Sequence, residues 1–143
     1  MDMCRGQAMD LNWRGKKLTE EQLKTLHYYK TGLGFEASLV MPAILANASE
    51  HEIENLKRFA YHVGIVYQIK DDMLDFEGGA HLGKPVGQDV ENNNSTFVTI
   101  LGLEEAEKQM WNEYYAAIQA LNKLSINTNF LQKLTYYFLN REK

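Results

Sequence analysis

The chain has 143 residues, 45% hydrophobic and 24% charged, which is enough for one globular domain with a real core over residues 1–143 and too few for a second. A net charge of −4 and scattered lysines leave no basic footprint for nucleic acid. The lone Cys4 excludes an intrachain disulfide, no Cys/His spacing suits zinc, and no apolar run is long enough to span a bilayer, so a protein of the reducing cytoplasm without a membrane span is expected.

No useful stretch alternates like a strand, and the punctuation predicts an all-α chain. Residues 6 to 12 resemble the tail of a helix that stops at Asn12-Trp13-Arg14-Gly15. Thr19-Glu20-Glu21-Gln22 forms a capping box that opens a second helix. This helix runs through Leu23, Leu26 and His27 to Lys30-Thr31-Gly32-Leu33-Gly34, where two glycines permit a kink, and continues past Pro42 to stop near Asn47. Ser49 with Glu52 is a second capping box, opening a central helix that should reach Phe76 and end at Gly78-Gly79. Residues 59–67 are apolar almost all round, the pattern of a helix surrounded by others. A loop over 77–88 and helices over about 95–101, 103–124 and 128–140 complete the chain, the last two with a structural role. His62 is expected to be a satisfied interior residue, and the Tyr114-Tyr115 and Tyr136-Tyr137-Phe138 clusters to be packing groups.

Near the end of the central helix, Gln68, Asp71, Asp72 and Asp75 follow the i, i+3, i+4, i+7 rule and share one face. Three carboxylates so close repel one another, and burial of unpaired charge is costly, so the stripe must be neutralised or wet. A solvated acidic helix end is the bland explanation, but the negative end of the helix dipole disfavours carboxylates there. Magnesium suits the stripe better, because it keeps several waters and takes only one or two protein carboxylates alongside phosphate. Taken alone, Lys30 and Thr31 would pass for surface residues near a kink. Gln7 and Asp10, one turn apart, fit a hydrogen-bonded pair or an ordinary helix end as well as a binding role.

Four motifs in order carry a resemblance. The stretch from Gly64 and Tyr67-Gln68 through Asp71-Asp72 to Asp75 resembles the second aspartate-rich motif of trans-isoprenyl diphosphate synthases, of the bacterial farnesyl and geranylgeranyl type. Gly6-Gln7 with Asp10-Leu11 is similar to the family's Gly-Gln-x-x-Asp-Leu element, Lys30-Thr31-Gly32 to its Lys-Thr element, and Gly83-Lys84 through Asp89 to its loop after the aspartates. The resemblance implies an orthogonal helical bundle of the isoprenoid synthase fold, truncated to its C-terminal helices. It also implies transfer of a prenyl group from an allylic diphosphate to isopentenyl diphosphate with Mg2+. Carried over residue by residue, Asp71 would ligate magnesium and Asp72 and Asp75 would ligate it or hold its waters. Lys30, Thr31, Gln68 and Lys84 would bind diphosphate, the first three of them as catalytic groups. Gln7, Asp10, Gly64 and Tyr67 would line the cavity, with Gly64 leaving room for substrate.

Departures from the family pattern shape the expectation further. The sequence has no first aspartate-rich motif, Asn94 stands where a lysine is usual, and Tyr67 replaces a phenylalanine. The chain therefore looks like a truncated product, a gene remnant or one piece of a split enzyme, inactive alone. A homo-oligomer or a companion chain supplying the other half is expected, with an uncovered apolar patch on residues 56–67 to meet it. The alternative is a non-catalytic diphosphate-binding or modulatory subunit of a heteromeric prenyl synthase.

Overall fold

The computed structural model describes residues 2–81 and 95–142, with side chains described for 4–78 and 95–142. Among these residues all regular structure is helical. Helix α1 spans Asp2–Trp13. Gly15, at φ +78°, takes the left-handed turn that ends it. The following link is tied down where the Leu18 N–H donates to Ser95 Oγ at 3.0 Å and Ser95 Oγ donates to the Lys16 carbonyl at 3.1 Å.

Helix α2, Glu20–His27, opens on the Thr19 capping box, with Gln22 N–H donating to Thr19 Oγ1 and the Gln22 side chain accepting from Thr19 N–H. The expected kink is a π-helical turn over Tyr28–Gly32, and the chain continues as α3, Leu33–Leu45. Pro42 lies inside α3, where it removes one helical donor without ending the helix. Asn47, at φ 57°, closes α3, with Ala48 N–H on the Ala43 carbonyl and Asn47 N–H on the Ile44 carbonyl.

Helix α4, Glu50–His81, is the axis of the bundle, about 48 Å long at 1.5 Å per residue. The Ser49–Glu52 capping box opens it, as expected. It runs past Phe76 and through Gly78-Gly79 to His81, further than expected, because two glycines cost about 1 kcal/mol each against a helix already propagated through seven turns. The rest of the expected loop, with Lys84, and Asn94 beyond it lie outside the described residues. After it come α5 (Phe97–Leu101), capped by Thr96 with Thr99, then α6 (Leu103–Asn122) and α7 (Asn129–Asn140).

Two apolar clusters sit along α4. Ile65, Val66, Ile69 and Met73 pack with Leu23 and Leu26 of α2, Phe97 of α5 and Met110 of α6. Leu56, Phe59 and Val63 pack with Val40 of α3 and Ala117 and Leu121 of α6. Between them lies a polar tie. Glu113 of α6, only 7% exposed, accepts from His62 Nδ1 of α4 at 2.5 Å, from Gln109 at 3.0 Å and from Lys24 Nζ of α2 at 3.4 Å. His62 is thus hydrogen-bonded as expected, though it is half-buried and not interior.

Two packing expectations need correction. The apolar band of α4 is mostly covered: Leu56, Phe59, Ala60, Val63, Ile65 and Val66 are all buried, and Tyr61 is the residue of the band left exposed. The more exposed apolar residues lie elsewhere, among them Met41, Ile44 and Leu45 of α3 and Phe130, Tyr136 and Tyr137 of α7. Tyr114 and Phe138 pack against the apolar clusters as expected, but Tyr115, Tyr136 and Tyr137 are exposed, since α6 and α7 each bury only one face.

Candidate functional site

The acidic stripe of α4 faces a cleft of about 250 Å³ between α1, the π-helical turn and the start of α5. Gln68, Asp71, Asp72 and Asp75 form one wall, Asp10 and Lys30 stand on the other, and Trp13, Leu18 and Leu26 give the cleft an apolar side. Lys30 Nζ lies 3.4 Å from Asp10 Oδ2, which Arg14 also approaches at 3.6 Å. Both signs of charge therefore meet in one concave space.

The three aspartates occupy different positions. Asp72 is buried, with Oδ1 accepting from the Gln68 side-chain amide at 2.9 Å and Oδ2 from the Phe97 N–H at 3.0 Å. Both oxygens accept, fastening Gln68 and the first turn of α5 to α4, while the side chain still lines the cleft. Asp75 is exposed at the mouth of the cleft. Asp71 is half-buried, and Arg141, just past α7, brings Nη2 to 3.5 Å from Asp71 Oδ1. The same guanidinium donates to the Tyr67 carbonyl at 3.2 Å and lies 3.9 Å over the Tyr67 ring.

Asp10, Lys30, Gln68, Asp71, Asp72 and Asp75 thus share one cleft, while four other expected residues do not line it. Gln7 is exposed on α1. Thr31 is half-buried on the π-helical turn, beside Lys30 but outside the cleft lining. Gly64 faces Gly32 and Phe35, where an added Cβ would stand at the ordinary contact distances of 3.6 Å from the Gly32 Cα and 3.7 Å from the Phe35 ring, and it does not line the cleft. Tyr67 packs its ring between Phe35 and Phe138, under Arg141.

Two residues that the motifs did not indicate belong to this region. His27 lines the cleft and stacks on Phe97 at 5.7 Å. Burial, reinforced by the Lys30 charge, pushes its pKa down to about 4, so it is neutral at pH 7. Its position one turn before Lys30 was the available signal. Arg141 had none, because seventy residues separate it from Asp71 and only the return of α7 brings them together.

Among the described residues, no three His, Cys, Asp or Glu side chains are grouped closely enough to hold a metal unaided. The donor chemistry nonetheless fits magnesium, a hard cation that needs only one or two protein carboxylates when water and phosphate complete its shell. Asp71 and Asp75, one turn apart on the same wall, are the carboxylates placed to offer them. No helix among the described residues is long and apolar enough to cross a membrane.

Fold and site together define an all-α protein with a carboxylate wall facing a lysine across a shared cleft. Residues 1–129 match the model of the polyprenyl synthetase family. The chain is 39% identical to farnesyl diphosphate synthase of Micrococcus luteus over 99% of its length and 49% of that protein's. It is 35% identical to the farnesyl diphosphate synthase of Escherichia coli, again over 99% of this chain and 49% of the relative. Heptaprenyl diphosphate synthase from Staphylococcus aureus superposes with a TM-score of 0.87 at 22% identity, over 99% of this chain and 57% of that one. The chain belongs to the polyprenyl synthetase family, and it spans about half the length of the curated relatives it matches.

Proposed function

We propose that the chain supplies one wall of a prenyl transfer site, in which Asp71 and Asp75 hold magnesium while Lys30, with Lys84, receives the diphosphates of an allylic substrate and isopentenyl diphosphate. The observation that carries this reading is the meeting of Lys30 with Asp71 and Asp75 in one cleft although they come from separate helices. Names of relatives such as farnesyl diphosphate synthase support the substrate class. Bound magnesium supplies positive charge where the leaving diphosphate accumulates negative charge. The protein groups do the rest. Asp71 and Asp75 offer hard oxygens, and Gln68 is held to the wall by Asp72. Lys30 exchanges its Asp10 partner for phosphate oxygens, Thr31 beside it offers a hydroxyl, and the apolar side of the cleft limits water at the reacting centre.

The sequence has a single Asp-Asp pair, at 71–72, whereas the reaction implied by the family resemblance uses two aspartate-rich walls. The 143-residue chain by itself is therefore expected to make no prenyl product. Incubation with magnesium, isopentenyl diphosphate and dimethylallyl or geranyl diphosphate tests this, and any longer prenyl diphosphate formed by the pure chain refutes it. Calorimetry should detect magnesium-dependent binding of inorganic pyrophosphate that Asp71→Ala abolishes; a wild-type chain that binds none removes the site reading.

A second reading, a non-catalytic diphosphate-binding or modulatory subunit of a heteromeric synthase, is favoured by the exposure of Met41, Ile44 and Leu45 on α3. Under it, adding the chain to a complete synthase changes that enzyme's rate or product. Under the first reading, only a partner lacking this half gains activity.

A further inference from the structure

Gly6 lies on α1 one turn before Asp10, where the helix crosses the π-helical turn. A Cβ built on Gly6 would stand 2.5 Å from the Tyr29 carbonyl carbon, 2.6 Å from its oxygen and 2.6 Å from the Lys30 nitrogen. All three are backbone atoms, so no rotamer change could relieve the overlap. The crossing is this close at a widened part of the helix: the Leu33 N–H reaches back to the Tyr28 carbonyl, five residues earlier. The ion pair between Lys30 and Asp10, at 3.4 Å, bridges the same two elements just beyond the contact.

From this geometry we infer that Gly6 is a positioning residue: with no side chain at position 6, α1 seats directly on the Tyr29–Lys30 peptide and holds Lys30 in the cleft beside Asp10. Carbon atoms normally meet at about 3.5 Å, so a methyl group at Gly6 would force α1 back by roughly 1 Å. That shift opens the Lys30–Asp10 pair and moves the ammonium relative to the α4 carboxylates. Charge-assisted contacts depend on short distances, so a diphosphate held between the two walls would lose the lysine contact. The inference rests on the reading that Lys30 receives diphosphate.

The test is magnesium-dependent binding of inorganic pyrophosphate to the full 143-residue chain, measured by calorimetry for wild type, Lys30→Ala, Gly6→Ala, the double variant and Gly34→Ala. Gly34 is the control because a Cβ there meets nothing within 4 Å. Gly6→Ala and Lys30→Ala should each weaken binding about tenfold or more. The double variant should be no weaker than Lys30→Ala, because Gly6 acts through that lysine, and Gly34→Ala should bind like wild type. If Lys30→Ala binds normally, the diphosphate reading falls and the inference with it. If Lys30→Ala is weak while Gly6→Ala is normal, or if the two losses add, the inference alone is overturned. Loss of the helical circular dichroism signal in Gly6→Ala would also overturn it, since the contact would then hold the bundle together and not aim one lysine.

Discussion

Asp72 and Asp75 carry the same charge three residues apart, yet burial gives them opposite roles. Asp72→Ala leaves the Phe97 N–H, which lies in buried surroundings, and the Gln68 amide without their acceptor. Each such loss is worth about 1–3 kcal/mol, so the urea midpoint should fall clearly. Asp75 is exposed, and Asp75→Ala should change stability by less than about 1 kcal/mol while weakening magnesium-dependent pyrophosphate binding. Equal stability losses from the two variants would contradict this division. His27 adds a pH dependence. With its folded pKa lowered to about 4 from 6.5, the unfolded chain binds this proton first as pH falls. Stability should therefore be unaffected by His27 above pH 6.5 and decline from there to pH 4, by at most about 3 kcal/mol from this one group. Denaturation of His27→Phe across that window should give a flatter profile; an unchanged slope would exclude the assignment.

At the scale of elements, Glu113 joins α2, α4 and α6 through Lys24 and His62. Burial would push its carboxyl up, but the hydrogen bond and charge of His62 and the charge of Lys24 outweigh that and hold it below 4.5. Its contribution to stability is thus in place above pH 4.5 and drains away as pH falls through the lower folded value. Glu113→Ala should destabilise by about 3 kcal/mol, since it strands His62, Gln109 and Lys24 in a largely buried site. Glu113→Gln should remove the acid limb below pH 4.5, and persistence of that limb would assign it elsewhere. The helices themselves were legible from local chemistry: Thr19 with Gln22 and Ser49 with Glu52 are capping boxes in sequence and in space. Less legible was anything set by crossings. Gly32 and Gly34 suggested a kink but not a π-helical turn, and Gly64 looked like room for substrate because sequence does not reveal that it faces Gly32 and Phe35 and not the cleft. The acidic stripe was visible from its spacing. That Asp72 also accepts from the Phe97 N–H at the start of α5 was not, because Phe97 is twenty-five residues away.

For the whole molecule, charge and apolar surface divide between different elements. The cleft gathers Asp10, Lys30, Asp71 and Asp75, while the outer face of α3 exposes Met41 at 62%, Ile44 at 56% and Leu45 at 84%. The chain covers about half of the relatives' length, and if the remaining half is carried by a companion, as the proposed reading has it, this face would be available for contact. Burial of Met41 and Leu45 would contribute about 1.5–3 kcal/mol each, at least a hundredfold in affinity together. Met41→Glu with Leu45→Glu should accordingly leave the isolated chain folded, with its thermal midpoint nearly unchanged, because neither side chain is part of either apolar cluster. The same pair of changes should abolish copurification with a co-expressed segment corresponding to the relatives' other half, together with any prenyl product the mixture makes. If the double variant still assembles and turns over, the companion docks elsewhere, and the exposed residues of α7, Phe130 and Tyr137, become the surface to change next.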